Sequence, residues 1–437
     1  DPILGTNADF KKLCAAAADC GIRIVLDGVF AHTGADSRYF NRFRHYPGCG
    51  AYNSRSSVYA RWYSFAHYPD DYKCWWDFKD LPAVNAANPD WRKYMITGER
   101  SIVKTWLRDG ASGWRLDVAD ELPDDVLRGM RSAAKETDPD SVLLGEVWED
   151  AVTKVSYGER RQYALGDALD SVMNYPLRDG LVAFLTGRST ARALADLLLS
   201  QRLNYPRPLY YALMNLTASH DVARTRSALA LDFDPRSRTR AELAALEITD
   251  AMAARGAQLQ VLAAAVQFWL PGIPSIYYGD ETGMQGLCDP FNRAPLQMCD
   301  TQMLQWYAQL TALRHTHPAL TRGEVAVFAP AGDVLCVLRV IADGRDAFGE
   351  EAEDEALLLI VNRAAHPVRC HVELTRPGAG LCEETRLAFV RSEYDCAVDC
   401  FDDTHIVLHD GVGAFDLPPH AAKIYRLENR HGTETGS

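Results

Sequence analysis

The chain has 437 residues, more than one small core accommodates, so two or three domains are expected. Its 59 acidic against 46 basic residues give a net charge of −13, which repels nucleic acid and anionic membrane surfaces but costs a neutral ligand nothing. Eleven cysteines without CxxC or Cys/His ligand spacing, and no apolar run near the roughly 18 residues that span a bilayer, point to reduced thiols and a cytoplasmic protein, not to a disulfide framework.

In chain order, Thr6 and Asp9 form a capping box before the helix FKKLCAAAADC, which stops at Gly21. IRIVLDGVF follows, a nearly continuous apolar run of the kind a parallel strand buried on both faces requires. Similar runs are GWRLDVA (113–119), VLLGEVW (142–148), SVMNYP (171–176), ALMNLTA (212–218) and IPSIYYG (273–279). Helical stretches such as RKYMITGERSIVKTWLRDG and GAQLQVLAAAVQFWL separate them. This alternation predicts a parallel α/β architecture.

Residues 33–89 break the rhythm. They are rich in aromatics, Asp, Pro and Gly and too long for an ordinary connection, so an inserted subdomain is expected there. After His317-Pro318 the pattern changes to VLCVLRVIA, ALLLIVNRA and AKIYRL, which predicts an all-β sandwich over 321–429. GEEAEDE reads as a solvated loop, and residues 430–437 as a disordered tail.

In a parallel α/β barrel the catalytic groups project from the C-terminal ends of the strands. The polar residues there are Asp27 and His32, then Arg115 and Asp117 in GWRLDVADE, Glu146 in LLGEVWED, and His220 and Asp221 in NLTASHD. One carboxylate at a strand end is more often a cap or a structural ion pair. Three of them interrupting apolar strands, one with an arginine two residues before it, are better explained by chemistry. Two facing carboxylates are the minimum equipment for glycoside hydrolysis, and an adjacent arginine keeps a nucleophilic carboxylate ionised and oriented.

DGVFAHTG, GWRLDVADE, GEVWED and NLTASHD, in this order and spacing, resemble the conserved stretches of the alpha-amylase family, glycoside hydrolase family 13. LPAVN (81–85) is similar to that family's stretch on its inserted subdomain, in the form of the neopullulanase, cyclomaltodextrinase and maltogenic-amylase branch. GIPSIYYGDETGMQG followed by DPFNRAP resembles the last barrel strand and the loop after it. The resemblance implies a retaining hydrolase of α-1,4, and in some members α-1,6, bonds in maltooligosaccharides, cyclodextrins, pullulan or starch. A transglycosylase with the same residues is the nearest alternative, and a non-catalytic barrel scaffold the more distant one. Asp117 would be the nucleophile, Glu146 the general acid/base and Asp221 the transition-state stabiliser. Arg115 would hold Asp117, and His32, His220 and Asn85 would contact the substrate. Trp148 and the Trp75-Trp76 pair would offer flat apolar faces to sugar rings.

Two departures from the family pattern are visible. Ala31 stands where many relatives carry an asparagine that helps to bind calcium, and a methyl group cannot ligate a hard cation. No metal and no other cofactor is therefore expected. Only six strand patterns appear where a closed barrel needs eight. The expectation is a partial (β/α)8 barrel over 1–320 that lacks its first two strand–helix units and is catalytically poor by itself. The expected partner is an α-glucan, with neither nucleic acid nor membrane; the oligomeric state stays open, a homodimer of a full-length form being one alternative.

Overall fold

The computed structural model describes residues 2–429; the expected tail at 430–437 lies outside the described residues. The chain divides into two compact units, Asp1–Met173 and Asn174–Ser437.

In the first unit, helix α1 (Asn7–Asp19) starts at Thr6, whose hydroxyl caps Asp9 N–H while the Asp9 carboxylate returns to Thr6 N–H, completing the capping box. Strands β1 (Val25–Gly28), β2 (Gly113–Leu116), β3 (Val142–Gly145) and β4 (Ser171–Val172) form one parallel sheet in that spatial order. Gly113 shows why its position admits no side chain: a Cβ there would sit 2.2 Å from Val142 O. Helices α2 (Ile102–Arg108) and α3 (Asp124–Thr137) bury Val103, Leu107, Val126, Leu127 and Met130. Strand–helix–strand order with buried helix faces is what parallel pairing demands.

Between β1 and α2 the chain makes short 3-10 turns, one small hairpin, Phe65–His67 with Asp71–Tyr72, and a short helical stretch made of Pro89–Arg92 and Lys93–Thr97. Order there comes from aromatic packing: Phe40 is fully buried and its ring meets those of Tyr63 at 4.9 Å and Tyr72 at 4.7 Å. Such ring pairs supply a core where regular hydrogen-bond ladders are absent.

In the second unit, β5 (Met214–Leu216) pairs in parallel with β6 (Ile273–Ser275). Helix α4 (Asp250–Trp269) is buried almost all round in its second half, from Leu262 to Trp269. From Glu324 onward the chain is dominated by antiparallel sheets. Six strands make one sheet and Val368–Glu373 with Val412–Leu417 make another. Val334, Leu338, Leu358 and Ile360 of the first share a core with Val372, Phe415 and Leu417 of the second. One helix, Glu383–Arg391, also lies in this β-rich region; the expectation of strands alone omitted it. Cys14, Cys336 and Cys370 are free and buried, and Cys20, Cys49 and Cys299 are free and exposed. Among the described residues no helix is long and apolar enough to cross a membrane.

Candidate active site

The parallel register sets Asp27 beside Arg115 on neighbouring strands, and the next turns of chain carry Asp117 and Glu146. Arg115 joins them. Its Nη1 donates to Asp27 Oδ1 at 2.8 Å and to Asp117 Oδ1 at 2.9 Å, while Nη2 donates to Glu146 Oε2 at 2.8 Å. Three acidic side chains thus share one guanidinium. Burial by itself would lower the Arg115 pKa, but Glu146, Asp27 and Asp117 together push it above its ordinary value. The Glu146 side chain is 6% exposed, that of Asp117 23% and that of Asp27 58%. The two proposed reacting carboxylates are therefore the shielded members.

Two further groups hold Glu146. The Trp148 indole N–H donates to its Oε1 at 2.9 Å, so this tryptophan acts as a donor, where the sequence suggested only a flat face. The Val118 backbone N–H donates to Oε2 at 2.9 Å. To aim it, Val118 adopts φ 40°, ψ 66°, a left-handed conformation that a β-branched residue almost never takes. No sequence signal marks Val118, because backbone strain leaves no trace in residue type.

His32 lies just after β1, in a segment paired with LPAVN. Thr33 N–H donates to Pro82 O at 3.1 Å and Val84 N–H to Ala31 O at 3.0 Å. Desolvation pushes the imidazole pKa below 6.5, against the opposing pull of Asp117 and Glu121, so the ring is neutral near pH 7. Its Nδ1 is buried and has no hydrogen-bond partner among the described residues. Asn85 is exposed, and its Oδ1 accepts the N–H of Ala87 at 3.2 Å in a local turn. That carbonyl oxygen serves the backbone first.

The second unit carries His220 and Asp221, with His220 Nε2 3.2 Å from Asp221 Oδ2 and Arg293 Nη2 3.9 Å from Asp221 Oδ1. Their loop is tethered by Asn292, whose fully buried Nδ2 donates to the carbonyls of Ser219 (3.1 Å), His220 (2.9 Å) and Val222 (2.8 Å). Asn292 belongs to the quoted DPFNRAP motif, but sequence reasoning gave it no role.

Position 31 does not fit a calcium ligand. The Ala31 side chain offers no donor atom and its carbonyl already accepts from Val84. Among the described residues, no group of three or more His, Cys, Asp or Glu is arranged to hold a metal.

Residues 1–302 match the model of the alpha-amylase catalytic domain. The chain is 33% identical over 408 residues to an amylopullulanase of Thermoanaerobacterium thermosulfurigenes, covering 86% of this chain and 21% of that protein. It is 30% identical over 376 residues to a cyclomaltodextrinase of Geobacillus thermopakistaniensis, covering 83% of this chain and 55% of that one. Thus the chain spans between a fifth and about half of these curated relatives. Among solved structures, the cyclic alpha-maltosyl-(1→6)-maltose hydrolase of Arthrobacter globiformis superposes with a TM-score of 0.71 at 25% identity, over 97% of this chain and 80% of that one. With the match to the catalytic-domain model covering more than two thirds of its length, this chain belongs to the alpha-amylase family.

Proposed function

We propose that the protein is a retaining α-glycosidase that hydrolyses α-1,4 and α-1,6 glucosidic bonds of α-glucans, with its six parallel strands forming part of a (β/α)8 barrel. The observation that carries this reading is the sharing of Arg115 among Asp27, Asp117 and Glu146. The names of the relatives, amylopullulanase, cyclomaltodextrinase and cyclic maltosyl-maltose hydrolase, support the substrate class.

In this mechanism Asp117 Oδ attacks the anomeric carbon while Glu146 protonates the departing glycosidic oxygen, giving a covalent glycosyl-enzyme. Arg115 links the two half-reactions. Once Asp117 becomes an ester it no longer carries charge, so the guanidinium is divided between Asp27 and Glu146 alone. Glu146, left as a carboxylate by the first step, stays beside the guanidinium and accepts the proton of the incoming water. Trp148 and Val118 hold its oxygens throughout. Neutral His32, with the lone pair on unpartnered Nδ1, presents Nε2–H to a sugar hydroxyl. Asp221, flanked by His220 and Arg293 in the second unit, is the carboxylate proposed to stabilise positive charge developing on the sugar ring. No step uses a metal or organic cofactor. Free, exposed thiols at Cys20, Cys49 and Cys299 accord with a reducing, cytoplasmic setting.

The test is the stereochemistry of the first product. Proton NMR of maltotriose or cyclodextrin cleavage should show the α-anomer before mutarotation, and Glu146→Gln should slow natural glucans far more than substrates with activated leaving groups. Initial release of the β-anomer overturns the double-displacement reading.

A further inference from the structure

Val118 is held in its left-handed conformation from two sides. A residue in so sparsely populated a region persists only where its surroundings over-determine it. On one side is the site itself. Ala119 N–H donates to Glu146 O at 3.1 Å, and the preceding Val118 N–H donates to Glu146 Oε2. On the other side is the loop 149–163, which follows β3 and folds back through the hairpin Val155–Ser156 with Glu159–Arg160.

Three residues of that loop converge on Asp120, two positions after Val118. The Tyr163 hydroxyl donates to Asp120 Oδ1 at 2.5 Å, and Lys154 Nζ lies 2.9 Å from Oδ2. Arg161 Nη1 donates to the Asp120 backbone oxygen at 2.7 Å, so each oxygen of Asp120 has its own donor. Arg161 also reaches Leu122 O through Nη2 and Asp124 Oδ1, at 2.8 Å, through Nε. Its guanidinium lies over the Tyr163 ring, 4.8 Å from the centroid, and both side chains are buried. Burial, with Asp120 beside it, pushes the Tyr163 pKa up, so the hydroxyl keeps the proton it donates. These bonds go to Asp120 and the residues after it, not to Asp117 or Glu146.

We propose that Asp120, gripped by Tyr163, Lys154 and Arg161, is a positioning residue for the general acid: it fixes the backbone that keeps Val118 N–H aimed at Glu146 Oε2. The inference rests on the double-displacement reading above and names what orients its acid. A backbone N–H directs its acceptor only as well as the backbone itself is fixed. A displacement of about 1 Å at a reacting group can cost on the order of 100-fold in rate. A leaving group that needs a proton feels such a displacement, whereas one that departs unaided does not.

The test separates protonation from folding. Tyr163→Phe keeps the buried ring and deletes the hydroxyl. Its kcat/KM should fall about tenfold on maltotriose, but less than twofold on an aryl α-maltoside with a good leaving group. Lys154→Met should move the same ratio in the same direction by about threefold, and it decides the matter should Tyr163→Phe not fold. Asp120→Asn, whose amide oxygen still accepts from Tyr163, should keep most of the activity. Added to Val118→Gly, Tyr163→Phe should cost less than a further twofold, because groups acting through one backbone segment are not additive. Equal losses on both substrates, or full additivity with Val118→Gly, overturn the positioning role and leave Asp120 a structural anchor. Glu146→Gln calibrates the readout: if it too slows both substrates equally, the general-acid assignment falls first and the proposal with it.

Discussion

Two arginines, one in each unit, are removed from water in opposite ways. Arg115 is bound by three carboxylates, which drive its pKa up. Arg339 is fully buried and bound by three backbone carbonyls, those of Trp269 (2.6 Å), Leu320 (2.8 Å) and Gly323 (2.9 Å). Desolvation, only partly offset by Tyr211 and Tyr210, lowers its pKa to about 10. The second arrangement is a staple. It satisfies carbonyl groups left over where helices end, and it leaves no reactive group behind. The first is a reservoir, in which one cation must serve several anions and any change in one anion is felt by the others. Chemistry belongs to the arginine whose partners can change charge.

The sharpest way to break this contrast is to remove each cation. Arg115→Met should lower kcat/KM on maltotriose by about 10³-fold or more, roughly 4 kcal/mol of transition-state stabilisation, with only a modest shift in thermal midpoint. Retained activity would mean that the three carboxylates are a structural ion cluster. Arg339→Met should do the reverse. Three buried carbonyls lose their donor, so unfolding free energy in urea should drop by roughly 3–5 kcal/mol, while molecules that remain folded keep their turnover per site. A melt unchanged by Arg339→Met would show that those carbonyls find other partners.

What the sequence disclosed follows the same division. Asp27, Asp117 and Glu146 stand out because each interrupts an apolar strand, and Arg115 stands two residues from Asp117. Periodicity also marks the six parallel strands, and Thr6 with Asp9 marks the start of the first helix. Arg339 was not legible: in VLCVLRVIA one charged residue looks like a solvent-facing position, yet its whole strand, Val334–Ile341, is buried. The helix Glu383–Arg391 is capped by the Cys382 thiol, which accepts from Thr385 N–H at 3.4 Å. Cysteine is not among the residues that announce a helix start. Asn292 and Val118 act through backbone carbonyls and backbone conformation, which composition does not encode.

A third test concerns Asp280, a buried anion in the second unit. Thr225 Oγ1 donates to its Oδ2 at 2.5 Å, but the Arg224 guanidinium is 3.7 Å from Oδ1. Desolvation outweighs both and raises its pKa from 3.8 to about 6. Between those values the native state holds a proton that the unfolded chain has released. Stability from this group is therefore greatest at the acid end and falls as pH rises, by about 3 kcal/mol in all, levelling off only about a unit above pH 6. Asp280→Asn should flatten this part of the stability profile measured by urea unfolding from pH 4 to 7. An identical slope in the variant would mean that the carboxylate is ionised in the native state throughout.

The smallest expected effect tests whether strain is placed where the reservoir needs it. Val118 is left-handed, and for a β-branched residue this costs roughly 1–2 kcal/mol. Glycine adopts the conformation freely, but it also gains entropy in the unfolded chain and loses the packing of a half-buried isopropyl group. The balance should leave Val118→Gly more stable by about 0.5–1 kcal/mol. Its activity should nevertheless fall severalfold, because the N–H aimed at Glu146 Oε2 would no longer be held by a restricted backbone. Opposite signs in stability and activity are the signature of conformational strain retained for positioning. A loss of stability above about 2 kcal/mol would show instead that the Val118 side chain is selected for packing, and that the left-handed turn is a consequence of that packing.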